Sequence, residues 1–100
     1  MSMKDSRQSL LVIGRHPEIM QKVLQLLHAN GYVAEGVSED EQALVLLNST
    51  TYQAIVFGGG VEKQSVSKIE EQARVWQPGI KFIYAHPVSL LQDIREQLNT

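Results

Sequence analysis

The feature that most constrains the fold of this chain is the repeated alternation of a short apolar run with a longer stretch of helical hydrophobic spacing. The first run, "SLLVIG" at Ser9–Gly14, carries branched residues without polar alternation, which predicts a strand buried on both faces. Three further runs predict strands at Tyr32–Val37, Gln53–Phe57 and Ile80–Ala85. The third run ends in three consecutive glycines, Gly58, Gly59 and Gly60, which raises the question of whether they form a phosphate-binding loop.

A predicted helix follows each strand. Pro17 suits the first position of the first helix, and Gly31, which can adopt positive φ, suits its end. The hydroxyl of Ser38 and the carboxylate of Glu41 have the spacing of a capping box at the start of the second helix. The two remaining predicted helices run from Ser65 to Trp76 and from Val88 to Leu98.

This β-α-β-α-β-α-β-α order predicts one α/β domain built on a parallel sheet. Parallel neighbours need crossover connections, and right-handed helical crossovers cover both faces of the sheet. We expect a disordered segment at residues 1–8 and a single domain over residues 9–100. Trp76 lies on the apolar stripe of the third helix, and we expect it in the core.

Composition excludes several classes of site. The chain has no cysteine, which excludes a disulfide framework, a thiolate zinc site and a cysteine nucleophile. Its formal net charge of −2 gives no basis for binding nucleic acid or a membrane surface. The three histidines are not at metal-ligand spacing, and no segment has the apolar character of a signal peptide or a membrane span. We therefore expect a cytoplasmic protein without a metal or a cofactor.

The residues from about Leu10 to Ile83 resemble the receiver domain of bacterial two-component response regulators. The resemblance rests on a buried strand, a helix start at Pro17, "GY" before the second strand, "ALVLL" in the second helix and "YQAIVF" at the third strand. It implies a flavodoxin-like, three-layer α/β/α fold with four strands in the order 2-1-3-4. It also implies that the usual fourth helix and fifth strand of receivers are missing.

This chain differs from the receiver pattern at the residues that bind Mg²⁺ and accept the phosphoryl group in receivers. Receivers hold Mg²⁺ with an acidic pair after the first strand, where this chain has Arg15 beside Gly14 or His16. Receivers are phosphorylated on an aspartate at the end of the third strand, where this chain has Gly58. Phosphoryl transfer needs an acceptor and a divalent ion held by carboxylates, so the resemblance implies a degenerate receiver that is not phosphorylated on aspartate.

Two more receiver positions have changed at the end of the fourth strand. Ala85 stands where receivers have Thr or Ser, and His86, before a proline, stands where they have lysine. We expect neither residue to support acyl-phosphate chemistry.

Two alternative functions stay open at the same edge of the sheet. The segment "GGGVEKQS" fits neither a Walker loop nor a dinucleotide fingerprint. Arg15, His16 and the three glycines would nevertheless meet at the topological switch point, where a weakly electropositive crevice could hold a small ligand or an anion through the backbone of Gly58, Gly59 and Gly60. His16 is also a candidate phospho-acceptor or general base, although the sequence offers it no orienting carboxylate.

The fourth strand has the composition of an exposed edge that can self-associate. Ile80, Phe82 and Tyr84 are apolar or aromatic, and only Lys81 discourages pairing. We expect a homo-oligomer, formed through this edge or by exchange of the terminal helix. The favoured function is a non-catalytic, receiver-like interaction or regulatory module whose partner is another protein or a second copy.

Overall fold

The computed structural model describes residues 8–85 and 89–98, and within them four strands and four helices alternate in the predicted order. Of the predicted disordered segment, residues 1–7 lie outside the described residues. The bounds are β1 Ser9–Ile13, α1 Pro17–Ala29, β2 Val33–Val37, α2 Asp40–Ser49, β3 Ala54–Phe57, α3 Lys63–Trp76, β4 Lys81–Tyr84 and α4 Leu90–Leu98.

The strands form one parallel sheet in the order β2-β1-β3-β4, which confirms the predicted flavodoxin-like arrangement. The central strand β1 pairs Leu10 with Ala34 on one side and with Ala54 on the other. Its residues Leu10, Leu11 and Ile13 are fully buried. β4 lies at the edge, and β3 is its only strand partner among the described residues.

The helices cover both faces of the sheet, as the alternating order predicts. Successive strand residues point to opposite faces, so Leu10 and Val12 pack in a core with α1 and α4. Leu11 and Ile13 pack in a second core with α2 and α3. The two cores hold the sheet from both sides, and the loops at the carboxyl ends of β1, β3 and β4 extend from this rigid layer.

The ends of α1 follow the prediction, whereas the start of α2 does not. Pro17 is the first residue of α1, and Gly31 after it has a φ of +89°. The predicted capping box is wrong, because α2 begins at Asp40 with Glu39 as its N-cap and no side-chain cap. The backbone carbonyl of Ser38 instead accepts a hydrogen bond from Arg15, and the helix starts one residue later than a capping box requires.

The prediction that Trp76 belongs to the core is also wrong. Trp76 is 39% exposed, whereas Ile69 and Ala73 earlier on the same stripe are fully buried. Trp76 is the last residue of α3, and it lies with Leu44 along the groove between α2 and α3.

The edge strand is shorter than the sequence predicts. Ile80 precedes β4 and is buried in the core beneath α2 and α3, so it cannot contribute to an exposed edge. Phe82 is half-buried and Tyr84 is 49% exposed. In the ranges that the structure describes, every helix is too short or too polar to cross a membrane.

Candidate functional site at the carboxyl ends of the strands

The loops that follow β1, β3 and β4 meet at one edge of the sheet because the strands run parallel and in register. Ile13 pairs with Phe57, which in turn pairs with Tyr84. The backbone N–H of Gly58 donates to the carbonyl of Ile13 at 2.8 Å, and that of Ala85 donates to the carbonyl of Phe57 at 2.9 Å. The predicted site residues of these three loops are therefore neighbours, except for His86, which lies outside the described residues.

Gly58 packs closely against the end of β1. A Cβ atom at this position would lie 3.2 Å from the carbonyl oxygen of Ile13 and 3.5 Å from Cα of Gly14. A contact of 3.2 Å with a backbone atom is tight, so a larger residue here requires the neighbouring backbone to shift slightly. The position that resembles the receiver phospho-acceptor thus holds backbone packed against backbone.

The second and third glycines of the loop are more open than the first. Gly59 is exposed, and a Cβ atom there would meet nothing within 4 Å. Gly60 is exposed as well, and a Cβ atom there would come within 3.2 Å of Nε2 of His16. Only Gly58 is therefore held in place by close backbone packing, while Gly59 could carry a side chain without a clash.

Arg15 joins three segments of the chain through its guanidinium group. Its Nη1 donates to the carbonyl of Ser38 at 2.7 Å, and its Nη2 donates to Oδ1 of Asp40 at 2.7 Å. Nη2 and Nε also donate to Oε1 of Glu62, at 2.8 and 3.1 Å. Ser65 completes the set, because Nη2 lies 3.0 Å from its hydroxyl. The loop after β1 is thereby tied to the start of α2 and to the start of α3.

The electrostatics of this cluster follow from these contacts. Hydrogen bonds from the Ser65 hydroxyl and from Arg15 hold the pKa of Asp40 below its ordinary value. The pKa of Glu62 is lowered by a hydrogen bond from its own backbone N–H and by Arg15. The pKa of Arg15 is raised by both carboxylates, and Asp40 has the larger effect. One cation with two anions carries a net charge of −1. Arg15 is thus paired with two carboxylates, and anion binding by Arg15, His16 and Gly58–Gly60 stays a prediction.

His16 lies on the surface beside the glycine loop, with its side chain exposed. Within the described ranges the structure gives His16 no carboxylate that could orient the imidazole as a general base. The same ranges contain no group of His, Asp and Glu side chains placed to hold a metal ion.

A cleft of about 550 Å³ opens next to this site, between α1 and α4. Its walls are mostly apolar, with Met20 and Val23 from α1 and Leu90 from α4. Gly58–Gly60 and Ala85 line the end nearest the strands. The predicted crevice at the switch point is present, with mostly apolar walls and with Arg15, His16 and Lys22 as its charged or titratable lining residues.

Sequence reasoning missed the residues that hold Arg15. Asp40 and Ser65 were not among the predicted site residues. In the structure both contact Arg15, and Ser65 Oγ donates to Oδ2 of Asp40 at 2.6 Å. The available signal was a lone arginine after a buried strand, with acidic residues following the next two strands. Parallel topology places the carboxyl ends of neighbouring strands together, and such charges then pair.

The sequence matches no protein-family model and no curated protein, whereas its structure resembles solved receiver domains. A CheY-like response-regulator receiver domain protein from Methanospirillum hungatei JF-1 superposes with a TM-score of 0.81 at 18% identity, covering 94% of this chain and 95% of that one. The receiver domain of the hybrid histidine kinase CckA gives 0.70 at 16% identity, over 90% and 98% of the two chains. A CheY-like receiver domain from Methylobacillus flagellatus gives 0.69 at 15% identity, over 93% and 99%. The chain has the flavodoxin-like fold of CheY-like receiver domains.

Proposed function

We propose that this protein is a receiver-like regulatory module that acts through protein contacts and is not phosphorylated on aspartate. The observation that supports it is the replacement of the carboxylate site by the Arg15 cluster. Arg15, at a position that resembles the Mg²⁺-binding pair, extends a cation toward Asp40 and Glu62. Gly58, at the position that resembles the acceptor, has no side chain.

This arrangement lacks what acyl-phosphate formation requires. Transfer to a carboxylate needs the acceptor oxygen and a divalent ion to offset the charge of the phosphoryl group. The residues of the described loops, Gly14–His16, Gly58–Gly60 and Ala85, supply no carboxylate. Asp40 and Glu62 are nearby, but both accept hydrogen bonds from Arg15. A cytoplasmic location and a place in two-component signalling are part of this proposal and rest on the resemblance alone.

The proposal is tested by exposing the ¹⁵N-labelled protein to Mg²⁺ with beryllofluoride and, separately, with acetyl phosphate. We expect the amide signals of Gly58, Gly59 and Gly60 to stay where they are, while an active receiver domain treated in parallel shows saturable shifts. Gly58→Asp is the matched variant: it restores an acceptor but no Mg²⁺ ligands, so it should also stay unresponsive. Saturable shifts of the wild-type glycine amides would reject the proposal.

The alternative is a small-ligand module that uses the cleft beside Gly58–Gly60. The observation that favours it is the cleft itself, with its volume of about 550 Å³ and its apolar walls. Lys22 and His16 also line the cleft and could contact an anionic ligand, whereas Arg15 is already paired with two carboxylates. A thermal-shift series with nucleotides and inorganic phosphate separates the two functions, since a saturable rise in melting temperature would support the ligand-binding alternative.

A further inference from the structure

The outer edge of β4 carries backbone groups that point away from the sheet. The N–H of Lys81 donates to the carbonyl of Gln53 at 3.0 Å, and the N–H of Ala85 donates to the carbonyl of Phe57 at 2.9 Å. Strand backbone alternates in direction, so residues 81, 83 and 85 face β3, and residues 82 and 84 face outward. In the described part of the chain no strand pairs with this outer edge.

The side chains beside this edge form an aromatic surface flanked by opposite charges. Tyr84 stacks on Phe57 with ring centroids 5.7 Å apart, and the guanidinium carbon of Arg74 lies 5.0 Å from the Phe82 ring centre. The Tyr84 hydroxyl donates to Glu70. A cation thus lies over Phe82, and an anion lies beside Tyr84, two residues further along the same strand. Within one chain, Nη2 of Arg74 lies 3.6 Å from Oε1 of Glu70.

We propose that a second copy of this chain pairs with β4 in antiparallel orientation, about a two-fold axis perpendicular to the sheet that lies midway between Ile83 of the two copies. This inference rests on the proposed function, since it names the partner of the interaction module. Two sheets of four strands would then continue into one another, and the outer edge of β4 would be covered by an identical edge.

The backbone favours this register, because it pairs every outward N–H and carbonyl of Phe82 and Tyr84. A two-fold axis perpendicular to the sheet keeps the α3 faces of both copies on the same side, so it must lie midway between two equivalent residues that are directly opposite each other. With the axis at Ile83, Phe82 lies opposite Tyr84 of the second copy, and their outward groups form four N–H···O bonds. An axis level with Phe82 also allows four, but it leaves the Tyr84 carbonyls unpaired, because the N–H of Ile80 already donates to Gln77.

The charges agree with the same register. Arg74, over Phe82, comes next to Glu70 of the second copy, which lies beside the opposing Tyr84, and the symmetry repeats the pair. Lys81 lies opposite Ala85 of the second copy and not opposite another Lys81, so the edge lysine does not repel its equivalent. Backbone, aromatic and charged groups are therefore self-complementary about one axis.

Disulfide cross-linking tests the register directly, because the chain has no cysteine of its own. Residues 81 and 85 of opposite copies would form a non-hydrogen-bonded pair with Cα atoms about 4.5 Å apart, within disulfide range. The variant Lys81→Cys/Ala85→Cys should oxidise to a species of twice the 11.2 kDa chain mass and return to one chain with reductant.

The single variants are the matched controls. Two copies of position 81 would be offset by four residues, roughly 13 Å along the strand, so Lys81→Cys alone and Ala85→Cys alone should remain monomeric on a non-reducing gel. A monomeric double variant, or single variants that cross-link as well as the double one, would overturn the proposed pairing.

Charge reversal provides an independent measurement. Arg74→Glu brings like charges together across the axis, as well as with Glu70 of its own chain, and should weaken dimerisation by about tenfold in sedimentation equilibrium. Adding Glu70→Arg restores the pairs in both copies and should recover the wild-type dissociation constant, with circular dichroism confirming the fold of each variant. A wild-type protein that sediments only as a monomer at several hundred micromolar refutes the dimer. It leaves the proposed function intact, since the beryllofluoride experiment does not depend on assembly.

Discussion

Replacing Arg15 by methionine should destabilise the protein by about 2 kcal/mol, because charge-assisted hydrogen bonds to partly buried groups contribute more than exposed ones. The loss comes chiefly from Asp40, which is 21% exposed and lies 2.7 Å from Nη2, and from the carbonyl of Ser38. Glu62 is 67% exposed, and an exposed ion pair contributes only about 0–1 kcal/mol. Methionine retains the aliphatic packing of the arginine stem, so the change isolates the guanidinium.

Urea unfolding followed by circular dichroism measures this loss. With a slope of about 1–1.5 kcal/mol per molar urea for a domain of this size, the midpoint should fall by about 1–2 M. Glu62→Gln is the control and should shift the urea midpoint far less than Arg15→Met does, because its ion pair is exposed. A loss below about 0.5 kcal/mol for Arg15→Met would show that the guanidinium is a surface group and would refute the structural role assigned to it.

Three further predictions concern single positions. The folded-state pKa of Asp40 is lowered, so its contribution to stability is fully present above the ordinary pKa of 3.8 and is lost as the pH falls through the folded-state pKa. Asp40→Asn should therefore flatten the acid limb of a curve of stability against pH. Gly36→Ala should cost about 1–3 kcal/mol in urea unfolding, because a Cβ there would overlap Sδ of Met20, and Met20→Ala in the same chain should recover part of that loss. Gly31→Ala should cost about 1 kcal/mol, since φ is +89° there with open space around it, whereas Gly31→Asn should cost less; equal losses for both would contradict a backbone origin.

The sequence carries enough information for the fold because its strongest signals are local and repeated. The branched run of β1 and the helical spacing after each strand identify the elements, and their alternation limits the topology to a parallel sheet. The element bounds differ from those predicted by only a few residues. Trp76 continues the helical stripe of Ile69 and Ala73, but it is the last residue of α3 and is exposed, and periodicity alone does not indicate where burial along a stripe ends.

The candidate site is harder to predict because it depends on side chains from distant segments. Arg15 was identified by its position after β1, but its partners are 25 residues away at Asp40 and 47 residues away at Glu62. Periodicity does not indicate which of several acidic residues a lone arginine will contact. The capping box prediction was wrong at the same place: the Ser38 N–H donates to Oε1 of Gln42 and not to Glu41, and the Ser38 carbonyl accepts from Arg15.

The Arg15 cluster also has a consequence for the order of folding. The guanidinium contacts residues that are 23, 25, 47 and 50 positions away in the chain, so these hydrogen bonds require α2 and α3 to be docked beside β1. Partly exposed contacts of such long range form after the apolar core has assembled, which corresponds to φ-values near zero. Arg15→Met should then leave the refolding rate almost unchanged and accelerate unfolding by about 30-fold. Arg15 would in this way lengthen the time that each molecule stays folded.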